Sequence, residues 1–236
     1  MEAHSVSWKN QRLIESPPDF PVPGANRKCD KCGGHGYYFV QVGGAQYVTA
    51  CECTSNSSVA LVALGVPERH VACTFDNYQP QNQSQTTAIV KCRKFAGAYP
   101  DVDSGLLLQG PRGTGKTHLA VAILDVVREG LFVVMPELLA DLKTEMDTGE
   151  RRLLQEVIEA KLLVLDDIGF ERQTPWTESI VAEILNGRYN RNLPTVITTN
   201  LALGKSLDER VTPRIASRLN EMCETVNVTG KDWRER

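Results

Sequence analysis

The chain has 236 residues, a formal net charge of -3 and a hydrophobic content of 42%. This length accommodates one medium domain plus a small appendage, and the apolar content is ordinary for a soluble protein. Because the charge balance is slightly acidic, binding to nucleic acid would need a local basic patch, since the whole-protein field does not attract phosphate.

Residues 1–27 end in the proline-rich stretch SPPDFPVPG, whose composition predicts an extended linker. The segment lacks the long apolar core of a signal peptide, and no apolar run is long enough to span a bilayer. We therefore expect a cytoplasmic protein without a membrane partner. In that compartment thiols stay reduced, and paired cysteines favour metal over disulfide.

Residues 28–58 form a small module with four cysteines in two close pairs: Cys29, Cys32, Cys51 and Cys53. The stretch between the pairs has β-prone residues on both sides of Gly43 and Gly44, which predicts a hairpin. A hairpin would return the second pair to the first, so that four thiolates could hold one tetrahedral Zn²⁺. The C-x-C half is less usual than C-x₂-C, and His35 could replace one cysteine. Zinc binding has two alternatives. The four thiols could bind nothing, or the C-x₂-C pair could be redox-active, although the thioredoxin-like sequence context of such pairs is absent.

Residues 59–83 are a connector, and from residue 84 to residue 236 helices alternate with strands. The predicted strands span 105–110, 131–135, 161–167, 194–200 and, at an edge, 224–230. The predicted helices span 86–99, 116–130, 136–146, 174–192 and 212–222. Thr174 is a plausible helix cap with Pro175 next to it, and Ser206 with Glu209 fits a capping box. This alternation predicts an α/β domain with a parallel sheet.

The stretch GPRGTGKT, residues 110–117, matches the phosphate-binding pattern G-x-x-x-x-G-K-[ST] between a predicted strand and a predicted helix. Its glycines let the backbone curl so that N–H groups point at phosphate oxygens. Lys116 would reach the β- and γ-phosphates, and the Thr117 hydroxyl would bind Mg²⁺. The alternative is a glycine-rich turn without a ligand. The expected nucleotide-binding residues are Gly110, Pro111, Arg112, Gly113, Thr114, Gly115, Lys116, Thr117, His118 and Asp166.

The stretch LLVLDDIG places Asp166 and Asp167 at the end of an apolar strand, which we expect to neighbour the P-loop strand. Asp166 would hold Mg²⁺, usually through water. Asp167 stands where many ATPases have the carboxylate that activates water, although glutamate is more usual there. Aspartate is one methylene shorter, so we expect hydrolysis to be slow. The alternative for Asp167 is a turn or cap residue.

The next strand ends in TTN, where Asn200 could contact the γ-phosphate or the attacking water, or could simply form a turn. Arg214 and Arg218 are four apart and therefore share one helix face. Such arginines usually make solvated ion pairs, but in an oligomeric ATPase one of them can act as an arginine finger on the next subunit. The catalytic candidates are Lys116, Asp166, Asp167, Asn200, Arg214 and Arg218.

Four motifs follow one another in the chain: the P-loop, LDDIG, TTN and RIASRLNE. In this order and spacing they resemble the AAA+ ATPases of the DnaC/DnaI helicase-loader group and the related IstB-type transposition ATPases. Two further stretches are similar to segments of the same loaders, VPERHVACTFDNYQP and MPELLADLK. The resemblance as a whole covers residues 64–236. It implies an AAA+ sheet without a C-terminal lid domain, and weak ATPase activity with ATP and Mg²⁺. It also implies that Asn200 is the polar sensor and Arg218 the finger, with Arg214 as a second candidate.

The resemblance implies an ATP-switched protein that binds the hexameric DnaB-type replicative helicase and helps place it on single-stranded DNA during replication initiation. Such loaders assemble through their ATP interfaces, and many phages encode one, so we expect a phage or prophage version. Some carry an N-terminal zinc domain that docks on the helicase, which supports the zinc interpretation. By the same resemblance Lys143, Arg151 and Arg152 could face DNA, although a solvated helix face is the alternative.

Two other functions stay open from the sequence. An IstB-like helper ATPase would act in transposition on duplex DNA with a transposase. A zinc adaptor would bind nucleotide with negligible turnover and would have no DNA role. The ATPase core barely separates the loader from the transposition helper, and the cysteine module favours the loader.

Overall fold

The computed structural model of the protein describes residues 29–31, 37–42, 45–50, 57–148, 152–169, 174–201 and 213–235. The chain divides into two compact units, residues 1–72 and 73–236. In the described ranges no helix has the length and apolar character needed to cross a membrane.

The first unit contains the predicted hairpin. Strand β1 (Tyr37–Val42) pairs with strand β2 (Ala45–Ala50) in antiparallel register, from Tyr37 opposite Ala50 to Val42 opposite Ala45. Since Val42 pairs directly with Ala45, the chain reverses between these two residues, where the sequence predicts the hairpin turn. Helix α1 (Ser57–Ala63) and a short 3₁₀ turn (Glu68–His70) follow.

The predicted zinc ligands lie mostly outside the described residues. Cys29 is described and half-buried, whereas Cys32, Cys51, Cys53 and the substitute ligand His35 are not. Within the described ranges no group of three or more histidine, cysteine or acidic side chains is placed to hold a metal. The Cys₄ site therefore stays a prediction.

The second unit is built on a five-stranded parallel sheet, which confirms the predicted α/β class. Its strands are β3 (Gly105–Gln109), β4 (Leu131–Val134), β5 (Leu163–Asp166), β6 (Thr195–Thr199) and β7 (Cys223–Asn227). They lie in the order β4-β5-β6-β3-β7. Strands β3, β5 and β6 are buried along their whole length, as expected for a sheet covered on both faces. Strand β7 lies at the edge, as predicted.

The position of the acid-bearing strand differs from the prediction. We expected β5, which ends in Asp166, to neighbour the P-loop strand β3, and this is wrong because β6 lies between them. The carboxyl ends of parallel strands still meet at one edge of the sheet. Side chains on β6 are consequently in a position to connect the acids to the P-loop.

The described part of the second unit contains six α-helices, of which the first precedes the sheet and the others lie between its strands: α2 (Gln83–Ala98), α3 (Lys116–Val127), α4 (Met135–Thr148), α5 (Arg152–Glu159), α6 (Pro175–Tyr189) and α7 (Pro213–Met222). Asn82 caps α2 by accepting a hydrogen bond from the backbone of Gln85. Thr174 and Thr177 form a capping box at α6, with Pro175 between them, so the predicted cap is confirmed. The predicted capping box at Ser206 lies outside the described residues.

Two helix predictions need correction. Helix α3 ends at Val127, before Gly130, because Arg128 adopts a left-handed conformation with φ of 61° and its N–H caps the carbonyl of Leu124. Helix α5 was not predicted at all. Its stretch is flanked by charged residues, yet one face is buried through Leu153, Leu154, Val157 and Ile158.

A buried arginine joins three of these elements. Arg188 on α6 is 0% exposed, and burial lowers its pKa to about 9. Its guanidinium donates to the hydroxyl of Thr195 at 2.9 Å and to the carbonyls of Val157, Ile158, Ala160 and Pro194. A buried cation persists when its donors are satisfied in this way. Arg188 thereby connects the end of α5 and the start of β6 to α6.

Candidate functional site

The P-loop joins the end of β3 to the start of α3. Three of its glycines adopt positive φ: 148° at Gly110, 69° at Gly113 and 93° at Gly115. Side chains are strained at such angles, so glycine is the residue that fits. The loop therefore curls directly in front of the α3 N-terminus, where backbone N–H groups favour anions. A phosphate cradle requires such a loop conformation, and phosphate binding by these residues stays a prediction.

Lys116 lies inside this loop. It is 5% exposed, and its ammonium donates to the carbonyl of Pro111 at 2.6 Å. Burial lowers its pKa to about 8, whereas the attraction of the Asp167 and Asp166 carboxylates acts to raise it. A buried cation beside two carboxylates is well placed to bind the anionic phosphates for which the loop is shaped.

The first acid lies next to the threonine of the P-loop. Thr117 donates through its hydroxyl to Oδ1 of Asp166 at 3.0 Å, and Thr198 on β6 donates to the same oxygen at 2.6 Å. Burial raises the pKa of Asp166 to about 6, and the hydrogen bond from Thr198 opposes that shift. A carboxylate and a hydroxyl side by side provide the hard oxygen ligands that Mg²⁺ prefers, so Asp166 and Thr117 fit this ion.

The second acid is held by the tip of β6. Asp167 has a left-handed backbone with φ of 60°, and its N–H donates to the hydroxyl of Thr198 at 3.0 Å. The side-chain amide of Asn200 donates to Oδ1 of Asp167 at 3.0 Å. The structure therefore brings Asp167 and Asn200 together across β5 and β6.

A third group of residues contacts the P-loop at Thr114 and Gly115. The carbonyl of Thr114 accepts from the hydroxyl of Tyr78 at 3.1 Å and from the amide of Gln85 at 3.4 Å. A Cβ on Gly115 would lie 2.6 Å from the Tyr78 ring. The P-loop thus packs against Tyr78. Residue 115 must be glycine because a side chain would overlap the Tyr78 ring and because its φ is positive.

His118 belongs to the same contact region. Its Nε2 lies 2.8 Å from the carbonyl of Thr74, and its ring packs edge-on to Tyr78 at 5.2 Å. Burial lowers the pKa of His118. Although His118 was predicted to bind nucleotide, the contacts that it makes here hold the segment from Thr74 to Tyr78 against α3.

Of the two arginine candidates, one side chain is described. The guanidinium of Arg218 lies over the Tyr189 ring at 4.0 Å and 3.7 Å from the carboxylate of Glu221. Tyr189 also donates its hydroxyl to Glu221. Arg218 is therefore held on the surface formed by α6 and α7, with its side chain 29% exposed. The side chain of Arg214 lies outside the described part of the chain.

The sequence prediction missed three residues that organise the site: Thr198, Tyr78 and Gln85. Thr198 stands two residues before Asn200 in TTN, and its role depends on β6 lying between β5 and β3. Tyr78 lies in a segment that we compared with loaders without assigning it a role. No local sequence pattern indicates the contact of Gln85 with the P-loop, because its partner Thr114 is distant in the chain.

A parallel sheet with a glycine-rich P-loop, a buried lysine, and an acid bonded to the P-loop threonine defines a P-loop nucleotide-binding protein of the α/β class. The family model of the IstB-like ATP binding proteins matches residues 66–236. The chain belongs to this family.

Similar proteins carry more specific names. The chain is 28% identical over 187 residues to the replicative helicase loader DnaC of Escherichia coli (strain K12), covering 72% of this chain and 76% of that protein. The crystal structure of the DnaC helicase loader aligns with a TM-score of 0.64 and 34% identity, over 69% of this chain and 99% of that one. The crystal structure of DnaI aligns with a TM-score of 0.63 and 26% identity, over 71% and 93%.

Replacing Thr198 by valine should damage both the fold and the metal site. Valine keeps the shape but removes the donor to Asp166 and the acceptor for the Asp167 N–H. We expect the free energy of unfolding in urea to fall by about 1–3 kcal/mol and Mg²⁺ affinity to fall by about tenfold or more. Thr198→Ser, which keeps the hydroxyl, is the control. Wild-type affinity for Mg²⁺ in Thr198→Val would contradict this role.

Proposed function

We propose that this protein is an ATP-switched loader that binds a hexameric DnaB-type replicative helicase and helps place it on single-stranded DNA. The observation that carries the proposal is the alignment with the DnaC helicase loader structure at 34% identity over 99% of that chain. The proposal is supported at the site by a P-loop in which Thr117 donates a hydrogen bond to Asp166 and Lys116 is buried within the attraction of the same carboxylate.

The proposed nucleotide is ATP with Mg²⁺, bound by residues 110–117. Lys116 would leave the Pro111 carbonyl and bind the β- and γ-phosphates. Thr117 and Asp166 would hold Mg²⁺, whose charge neutralises the phosphates when it is bound. Because Thr198 donates to Asp166, it keeps one carboxylate oxygen in position before the metal arrives.

Asp167 is the proposed general base for the attacking water. The amide of Asn200 fixes its Oδ1, so the carboxylate has a defined direction. Aspartate is one methylene shorter than glutamate and reaches less far towards the attacking water. The shorter reach favours slow hydrolysis, as a switch requires, and we propose weak ATPase activity.

We propose that Arg218 acts as an arginine finger on the ATP of a neighbouring subunit. Its contacts with Tyr189 and Glu221 hold the guanidinium in one place while leaving part of it exposed. An arginine prepared in this way loses less side-chain entropy when a phosphate arrives. Arg214 is four residues away on the same helix and remains the second candidate.

The zinc module is the proposed helicase-binding part. In the hairpin, Val42 pairs directly with Ala45, so the chain reverses between the two cysteine pairs. This reversal supports the proposed Cys₄ site, which is made of Cys29, Cys32, Cys51 and Cys53. A small module of this kind would need the metal to fold.

A second candidate function is an IstB-like transposition helper that acts on duplex DNA with a transposase. The observation that favours it is the match of residues 66–236 to the IstB-like family model. The two candidates differ in the DNA and in the partner. Stimulation of ATP hydrolysis by duplex DNA, without helicase binding, would support the helper.

Mixing the chain with the replicative helicase of its bacterial host tests the loader directly. We expect a stable complex by size and an ATP hydrolysis rate that single-stranded DNA increases. Lys116→Ala should weaken MgATP binding by about tenfold or more, because the charged partner of the phosphates is lost. Lys94→Ala, an exposed lysine on α2, is the control. A chain that forms no complex with the helicase would refute the loader.

The finger is tested by mixing two inactive variants. Arg218→Ala should bind ATP normally as a monomer but lose most of its DNA-stimulated hydrolysis, since arginine fingers contribute about a thousandfold or more. Mixed with Lys116→Ala, it should regain activity at interfaces that combine one intact P-loop with one intact Arg218. Arg191→Ala, an exposed arginine just after α6, should behave like wild type. Folded variants that mix without rescue would show that Arg218 does not act across subunits.

Metal analysis tests the zinc module. Protein purified without added zinc should contain about one Zn²⁺ per chain. Chelation should unfold the module, because metal-binding energy supports its folding. The readouts are metal content and the number of reactive thiols before and after chelation. A ratio near zero, with all four thiols titratable, would eliminate the site.

A further inference from the structure

The segment that follows β7 lies along the P-loop. We call residues 228–234 the C-terminal strap. At its start, the N–H of Val228 donates to the carbonyl of Gln109 at 2.8 Å, and near its end the N–H of Trp233 donates to the carbonyl of Gly113 at 3.0 Å. A Cβ on Gly113 would overlap the carboxylate of Asp232. The strap therefore follows the P-loop from its first residue to its middle.

The first turn of α2 anchors one part of the strap. Asn82 donates through its amide to the carbonyl of Thr229 at 2.9 Å, and the N–H of Thr229 donates to the hydroxyl of Ser84 at 2.9 Å. Gln85, in the same turn, contacts Thr114 of the P-loop. Thr229 is thus fixed to α2 by hydrogen bonds. Asp232 and Trp233 instead contact Gly113, so their positions depend on the conformation of the P-loop.

The strap also carries charge to the nucleotide site. Asp232 accepts hydrogen bonds from the backbone of Arg234 at 2.9 Å and from its Nε at 3.2 Å. The backbone N–H of Arg234 lowers the pKa of Asp232, so the carboxylate is ionised at neutral pH. Asp232 and Arg234 both act on the Lys116 ammonium, in opposite directions. The Asp232 carboxylate, with Arg234 as its counter-charge, therefore lies close to the loop that would receive a polyphosphate.

We infer that Asp232 limits the nucleotide affinity of this site, and that a bound nucleotide moves residues 232–234 away from Gly113. The inference rests on the proposed ATP site. Lys116 must release the Pro111 carbonyl to bind phosphate, and Pro111 belongs to the same loop that Asp232 and Trp233 contact at Gly113. The phosphates and the Asp232 carboxylate repel each other across the same loop. Nucleotide binding thus changes the exposure of Trp233, which is 45% exposed here.

Nucleotide titration of charge variants tests the affinity. Asp232→Asn should bind MgADP and MgATP about five- to tenfold more tightly, the effect of removing one partly exposed charge near phosphate. Arg234→Gln should bind them more weakly, because Asp232 loses its counter-charge. The control is Asp101→Asn, an exposed aspartate before β3, at the opposite end of that strand from the P-loop. The difference between Asp232→Asn and wild type should shrink as salt is added, which a purely structural effect would not show.

Tryptophan fluorescence tests the movement. MgATP should change the emission of the wild type, and Trp233→Phe should lose that change while Trp176→Phe keeps it. Unchanged affinity in Asp232→Asn, or a nucleotide response that does not depend on Trp233, would overturn the inference. Wild-type protein that binds no nucleotide at all would instead refute the proposed ATP site, and the inference with it. Wild-type binding therefore separates the two failures.

Discussion

The hydroxyl of Thr198 is the contact on which the rest of the site depends. It donates to Asp166 and accepts from the N–H of Asp167, so one small side chain orients both acids. Asp166 in turn accepts from Thr117, the residue that follows Lys116 at the start of α3. Strand β6 carries Thr198 between β5 and β3. The strand order is therefore what converts three separate sequence motifs into one site.

The P-loop is confined by two segments that lie far apart in the sequence. Tyr78 and Gln85 contact Thr114, and the C-terminal strap contacts Gly113. The strap is tied to the same turn of α2 that carries Gln85. A loop held in this way cannot change its shape without a response in its neighbours. Through these contacts, the proposed ATP-dependent switch would pass on the state of its nucleotide.

Two arginines, one on α6 and one on α7, are held in different ways. Arg188 is fully buried and donates hydrogen bonds to four backbone carbonyls and one hydroxyl, so it stabilises the packing of α5, α6 and β6. Arg218 lies over an aromatic ring and keeps part of its surface exposed. The first arrangement leaves the guanidinium inaccessible to a partner, whereas the second leaves part of it at the surface. The proposed contact of Arg218 with a phosphate on a neighbouring subunit requires this exposure.

The sequence by itself determined the elements whose signals are local. The hairpin follows from β-prone residues around two glycines, the Thr174 cap follows from its neighbours, and the P-loop follows from glycine spacing ahead of Lys116. The sequence also indicated the α/β class, because continuous apolar strands alternate with helices. Each of these features depends on residues that are close together in the chain.

The tertiary structure alone decided which distant residues meet. The placement of β6 between β3 and β5, the double role of Thr198, and the contact of Asp232 with Gly113 all join residues separated by long stretches of chain. Helix α5 is an exception, because its buried residues Leu153, Leu154, Val157 and Ile158 recur at helical spacing in the sequence. It was missed because the stretch is short and flanked by charged residues. Local propensity sets the backbone of each element, but strand order and packing set the neighbours of each side chain. The chemistry of the site depends on those neighbours.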